Sequence, residues 1–150
     1  MDRRWKVVIA SSHPDRRRSV GRILARLNID PVCVTTVQDC REKLPTDNVG
    51  LVFCDRNLSD GNYKDLLAVA ACRSSRAKTR VVLMSDLIEA EDYQSAKFSG
   101  AFGIVSASCH PTDIEWMVIQ AKRDQWNCAK PLIGTLRRTS DRRLGTIFGH

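Results

Sequence analysis

The sequence contains no apolar run long enough to cross a bilayer, no paired cysteines or histidines at zinc-binding spacing, no glycine-rich phosphate loop and no nucleophile elbow. Each absence removes a class. A membrane-spanning helix needs about 20 apolar residues, and the longest runs here, such as Val81 to Met84 and Leu66 to Ala71, are far shorter. The amino end, Met1-Asp2-Arg3-Arg4-Trp5, leads into a strand-like run without a cleavage-site pattern, so the reading is of a soluble, cytoplasmic chain. The six cysteines (Cys33, Cys40, Cys54, Cys72, Cys109 and Cys128) include no C-x-x-C pair, and most fall within apolar segments. They read as reduced thiols in or near a core. Without a phosphate loop, elbow or zinc pattern, an independent enzyme is the least supported class.

What is present suits one domain. At 150 residues with 43% hydrophobic content there is enough apolar surface for one core, but no room for a second catalytic domain. The net charge of +7 is uneven: residues 1 to 30 carry eight Lys or Arg against three Asp, and Arg137-Arg138 and Arg142-Arg143 follow near the other end. Such clusters suit a solvated face, an acidic protein partner or the phosphates of a nucleic acid.

Apolar periodicity alternates along the chain. Lys6 to Ala10 reads as a strand, then Pro14 opens a helix in which Val20, Ile23, Leu24 and Leu27 form one stripe and Arg18, Arg22 and Arg26 another. Further strands are expected at Pro31 to Val34, Val49 to Cys54, Arg80 to Ser85 and Phe102 to Val105. A short helix around Val37, Cys40 and Leu44, two more at 63 to 73 and 89 to 98, and a last one opened by Pro111 separate them. Five strands alternating with five helices predict an α/β fold, a doubly wound five-stranded parallel sheet with helices on both faces. The domain is expected to span residues 1–123. The pattern fails after Arg123, so 124–150 reads as a basic extension, flexible or locally docked.

The third strand ends in Asp55, at the sheet edge where open α/β folds bind ligands. Spacing alone leaves Asp55 equally open to a role as a strand-end turn former. Asp55-Arg56-Asn57-Leu58-Ser59-Asp60-Gly61 resembles the phosphoacceptor loop D-x-x-L-P-D-G of the response regulator receiver (CheY-like) family, with Ser59 in place of proline. Val81-Val82-Leu83-Met84-Ser85 is similar to the family's fourth strand with its switch hydroxyl, and Ser99-Gly100-Ala101-Phe102-Gly103 to the A-G-A-x-G leading into the fifth. The resemblance covers about residues 5 to 122. It implies the flavodoxin-like (βα)5 receiver fold and a role in two-component phosphorelay signal transduction. In the family an aspartate takes a phosphoryl group from a kinase phosphohistidine, with Mg²⁺ and a lysine balancing the charge.

Under that resemblance Asp55 is the phosphoacceptor candidate and Ser85 the switch hydroxyl candidate. The rest of the pocket departs from the pattern: Ser11 and Ser12 fall where the family has its acidic pair, Ala107 replaces the lysine, Ser108 the following proline and Ile104 the switch aromatic. Asp55 and the Asn57 carbonyl, with neutral serines, would give Mg²⁺ a weak site or none. Arg56 and His13 are the nearby candidates for a compensating cation. Arg56 alternates away from Asp55 along the strand, and a loop histidine commonly faces solvent.

The resemblance therefore implies an atypical pseudo-receiver, a protein-interaction module with impaired or absent Mg-dependent phosphorylation at Asp55. Expected partners are a histidine kinase, a phosphotransfer protein or an output regulator, with Arg18, Arg22 and Arg26 as the candidate contact surface. A homodimer through the fourth helix, fifth strand and fifth helix is a further option. The alternatives are a working phosphoacceptor with relaxed chemistry, and a nucleic-acid-associated regulator using the basic segments, for which there is no recognised DNA-binding motif. Trp116 and Trp126 on or beyond the last helix read as packed against the core or an adjacent tail, with a partner contact as the alternative.

Overall fold

A computed structural model of the chain describes residues 5–44, 48–71, 79–85 and 90–128, with side chains over all of these except 90–93 and 124–128. The element order is β1 (Lys6–Ala10), α1 (Pro14–Arg26), β2 (Pro31–Val34), α2 (Val37–Lys43), β3 (Val49–Asp55), β4 (Asn57–Leu58), β5 (Gly61–Asn62), α3 (Tyr63–Ala71), β6 (Arg80–Ser85), α4 (Ala90–Ser99), β7 (Gly103–Ser106) and α5 (Pro111–Cys128). Five strands form one parallel sheet in the order β2-β1-β3-β6-β7, which places β3 at its centre. All seven residues of β3 are buried, the signature of a strand covered on both faces.

Side-chain alternation sorts the core into two halves. Val8, Val52, Cys54 and Leu83 face a layer with Cys40, Leu66 and Ala96 from α2, α3 and α4. Val7, Ile9, Phe53 and Met84 face the other way, onto Val20, Ile23 and Leu24 of α1 and Ile114, Val118 and Ala121 of α5. The expected doubly wound sheet is thus present, with the predicted apolar stripe of α1 turned inward.

Helix ends follow local chemistry. Asn28, with φ 60°, ends α1, and Ile29 N–H donates to the Leu24 carbonyl. Gly100 (φ 101°) does the same for α4, with Ala101 N–H on the Ala96 carbonyl. Both are left-handed caps that return free carbonyls to hydrogen bonding.

The differences from the sequence reading are local. The strand expected from Phe102 begins at Gly103, and α5 continues to Cys128 instead of losing its pattern at Arg123, since no Pro or Gly interrupts it before Pro131. Residues 129–150, most of the expected basic extension, lie outside the described residues, as do Cys72 and the side chains of Trp126 and Cys128. Cys33 is exposed on the edge strand β2, not within the core, while Cys40, Cys54 and Cys109 are buried as expected. Burial pushes the Cys40 thiol up to about 12 and the Cys54 thiol well above its ordinary value. Trp116, read as packed against the core or an adjacent tail, is 47% exposed on α5.

One close contact ties the start of the fold to its last helix. The β1–β3 pairing skips Gly50, and the Trp5 ring lies where a side chain on Gly50 would stand. Lys122 of α5 holds its Nζ 5.3 Å from the centre of the same ring. Gly50→Val should expel Trp5 and destabilise the fold by about 1–3 kcal/mol, the usual cost of overpacking. Urea denaturation checks this, and an unchanged midpoint would refute it.

Candidate functional site: the Asp55 pocket

Phe53 faces the α1/α5 layer, so alternation along β3 turns Asp55 to the same side, at the carboxyl edge of the central strand. Asp55 is 2% exposed. A buried carboxylate requires partners on both oxygens, and two side chains from the β1–α1 region supply them. Ser11 Oγ donates to Asp55 Oδ2 at 2.6 Å, and Arg16 Nη1 forms an ion pair with Asp55 Oδ1.

The local sequence explains this geometry. Ala10 ends β1, His13 takes an extended conformation (φ −97°, ψ 111°), and Pro14 occupies the first helical turn, where its missing N–H costs nothing. Ser11 Oγ accepts from His13 N–H at 3.1 Å while donating to Asp55, so one hydroxyl fixes both the turn and the carboxylate. Arg17 Nη1 donates to the Ser11 carbonyl at 2.7 Å, holding the same turn from above. Arg16 is the third helical residue, and helical side chains lean toward the N-terminus, which brings its guanidinium back over the sheet edge.

Asp55 borders a pocket of about 250 Å³ whose wall also includes His13, Arg16, Arg56, Asn57 and Ser85. Arg56 and His13, the expected candidates for a compensating cation, are on this wall, but the ion pair belongs to Arg16. Ser85 is buried at the end of β6 and Ser12 is exposed. Ile104 and Ala107 are buried, Ile104 within the layer of α2, α3 and α4, and Ala107 N–H donates to the Ser85 carbonyl at 3.0 Å. Arg18, Arg22 and Arg26 are all exposed along α1, with Arg18 at 3.3 Å from Asp15.

Sequence reasoning missed Arg16, although a signal was present. The inward stripe Val20, Ile23, Leu24 and Leu27, extended one turn toward the N-terminus, arrives at position 16. A charge on an apolar stripe implies a buried opposite charge nearby.

The loop after Asp55 has structural duties of its own. β4 and β5 form a small antiparallel hairpin that periodicity did not predict, with Leu58 paired to Gly61 across a two-residue turn. The Asp60 carboxylate accepts from Val37 N–H at 2.7 Å and Gln38 N–H at 3.0 Å, capping α2 from outside its own segment. Asn62 and Asp65 form a reciprocal cap on α3, since Asn62 N–H donates to Asp65 Oδ2 and Asp65 N–H to Asn62 Oδ1. A side chain on Gly61 would collide with Asp65 and Val37, which explains the glycine.

The resemblance to receivers implies Mg²⁺ at this edge. The donor set does not fit it: the hard cation needs charged oxygens, whereas Ser12 is neutral, Ser11 has its hydroxyl proton on Asp55, and a guanidinium already sits on the second carboxylate oxygen. Among the described residues no group of three or more His, Cys, Asp or Glu converges.

Removing Arg16 should leave Asp55 buried without its opposite charge. Arg16→Ala is expected to cost about 2–4 kcal/mol in denaturant unfolding, near the range for breaking a buried pair, and adding Asp55→Asn should recover most of that loss. Additive losses in this double-mutant cycle would contradict the coupling. A second prediction concerns Asp60, whose carboxyl is held below its ordinary value chiefly by Val37 N–H. The stabilisation is present in full above the unfolded value near 4 and disappears as pH falls through the lower folded value. Thermal melts should therefore show Asp60→Ala less stable than the parent at pH 7, with the gap closing toward pH 2.

No family model matches the chain, and no curated protein sequence matches it. Its fold, however, is similar to solved receiver structures. The chemotaxis response regulator CheY4 of Vibrio cholerae superposes with a TM-score of 0.70 at 15% identity, covering 77% of this chain and 97% of that one. A two-component response regulator from Clostridium difficile gives 0.70 at 16% identity, over 80% and 97% of the two chains. The signal receiver domain of an HD domain-containing protein from Pseudomonas fluorescens Pf-5 gives 0.72 at 17% identity, over 83% and 91%. The strand order, the aspartate at the end of the central strand and these likenesses together show that the chain carries the receiver fold of response regulators.

Proposed function

We propose that this chain is an atypical response regulator receiver acting as a protein-interaction module in two-component signal transduction, without phosphorylation of Asp55. The observation that carries this reading is the pair of partners on the carboxylate among the described residues: Ser11 on one oxygen and Arg16 on the other. A phosphoacceptor must present a free oxygen in line with phosphorus and have the developing charge stabilised. Here the nucleophilic oxygens are engaged, and Ala107 supplies no cation where the family has its lysine. Loss of such stabilising groups costs on the order of 10² to 10³ in rate for each group removed.

The switch is depleted as well. A ligand or modification shifts a conformational equilibrium only if it interacts differently with the two states. Ser85 keeps a hydroxyl at the pocket, but Ile104 stands where the family has the aromatic that such a hydroxyl shifts. Output on this reading is constitutive and non-enzymatic, read from the surface by a kinase, phosphotransfer protein or output regulator. The exposed row Arg18, Arg22 and Arg26 favours a partner with an acidic face. Among the described residues no helix is long and apolar enough to cross a membrane.

Incubation of the full chain with phosphoramidate and Mg²⁺, followed by intact-mass analysis, tests the central claim. No phosphoryl adduct is expected, and calorimetry should find no tight Mg²⁺ site. An adduct lost in Asp55→Ala would establish the phosphoacceptor reading instead.

A further inference from the structure

Helix α1 turns its apolar stripe to the sheet and a row of arginines away from it. Arg18, Arg22 and Arg26 are exposed at four-residue spacing, so successive members rise by about 6 Å and the row spans about 12 Å along one ridge. Arg16 and Arg17 take no part, since they are turned to Asp55 and the Ser11 carbonyl. The row is not neutralised within the fold. Arg18 lies 3.3 Å from Asp15 in a largely exposed contact, and Arg22 and Arg26 make no ion pair among the described residues. Like charges four residues apart repel and weaken a helix, a cost that an anion laid along the row would relieve.

Charge alone leaves the row open to any anionic surface, an acidic protein face included. The rest of the ridge narrows the choice. The exposed residues among the arginines are the small Ser19 and Ala25, and no large apolar side chain is exposed anywhere on α1. Protein interfaces draw most of their affinity from buried aromatic and other large anchors, whereas contact with a phosphate backbone needs none. The ridge also has no aromatic ring on which an unpaired base could stack, which favours a duplex over a single strand. The net charge of +7 over the whole chain adds the long-range attraction that a polyanion requires.

We propose that α1 binds the sugar–phosphate backbone of duplex DNA through Arg18, Arg22 and Arg26, without reading its sequence. The fork of N–H groups on each arginine meets two oxygens of one phosphate. Phosphate contacts position a protein on the duplex and carry no sequence information, so this binding is electrostatic and salt-sensitive. It draws on no residue of the Asp55 pocket and stands whether or not Asp55 is phosphorylated.

Fluorescence anisotropy of short labelled duplex DNA, titrated with the full chain from about 50 to 200 mM NaCl, tests this. The logarithm of the affinity should fall linearly with the logarithm of the salt concentration, by about 0.9 in slope for each phosphate neutralised. Arg22→Gln and Arg26→Gln should each remove about that much slope and weaken low-salt binding, while Arg22→Lys, which keeps the charge, should retain the slope. Lys64→Gln, an equal loss of charge at an exposed site on α3, should leave slope and affinity unchanged. Two duplexes of unrelated sequence should bind alike. No binding at the lowest salt, an effect of Lys64→Gln equal to that of the arginine variants, or a marked preference for one duplex sequence would each overturn the proposal. Tighter binding of single-stranded DNA would overturn the duplex assignment, and tighter binding of polyglutamate would give the row to an acidic protein instead.

Discussion

A carboxylate at the buried edge of a central strand cannot stay charged without an opposite charge, and the way this chain meets that demand organises much of the structure. The partner is covalently attached. Arg16 reaches Asp55 only because β1 ends at Ala10, Ser11 fixes the turn, Pro14 starts the helix and the third helical residue leans back over the edge. A metal would come and go with its concentration, whereas a tethered guanidinium is present at a constant effective concentration. The neutralised state is built into the fold.

The same loop region also holds up the opposite layer. Asp60 caps α2, Asn62 and Asp65 cap α3, and Gly61 permits their close approach. A D-x-x-L-x-D-G segment can therefore be retained for packing whatever the chemistry at its first position. The motif alone does not separate those two reasons.

Much of the architecture was legible because burial on two faces leaves continuous apolar strands and apolar helical stripes, both of which survive reading one residue at a time. The centre of the sheet followed from the run Val49 to Cys54, and α1 from the spacing of Val20, Ile23, Leu24 and Leu27. Ser11, Ser12, Ala107 and Ile104 were read as replacements from their places along the chain, and of these Ser11 is the one seen on the Asp55 carboxylate among the described residues. What escaped was pairing at a distance: Arg16 and Asp55 are 39 residues apart, and attention to sequence neighbours considered Arg56 and His13 alone and turned both away. Cys33 was misplaced for a related reason, since composition gives the tendency of a residue type and not the exposure of an edge strand.

The Trp5 contact has a mechanical consequence. Because Trp5 packs over Gly50 and beneath Lys122, the polypeptide enters the fold and completes most of α5 at the same place. That place is the amino edge of the sheet, about 17–20 Å of strand away from Asp55 at roughly 3.3 Å per residue. Tension applied between flanking segments would load the Trp5 clasp and the first pairs of β1 with β3, leaving the pocket at the far edge mechanically shielded.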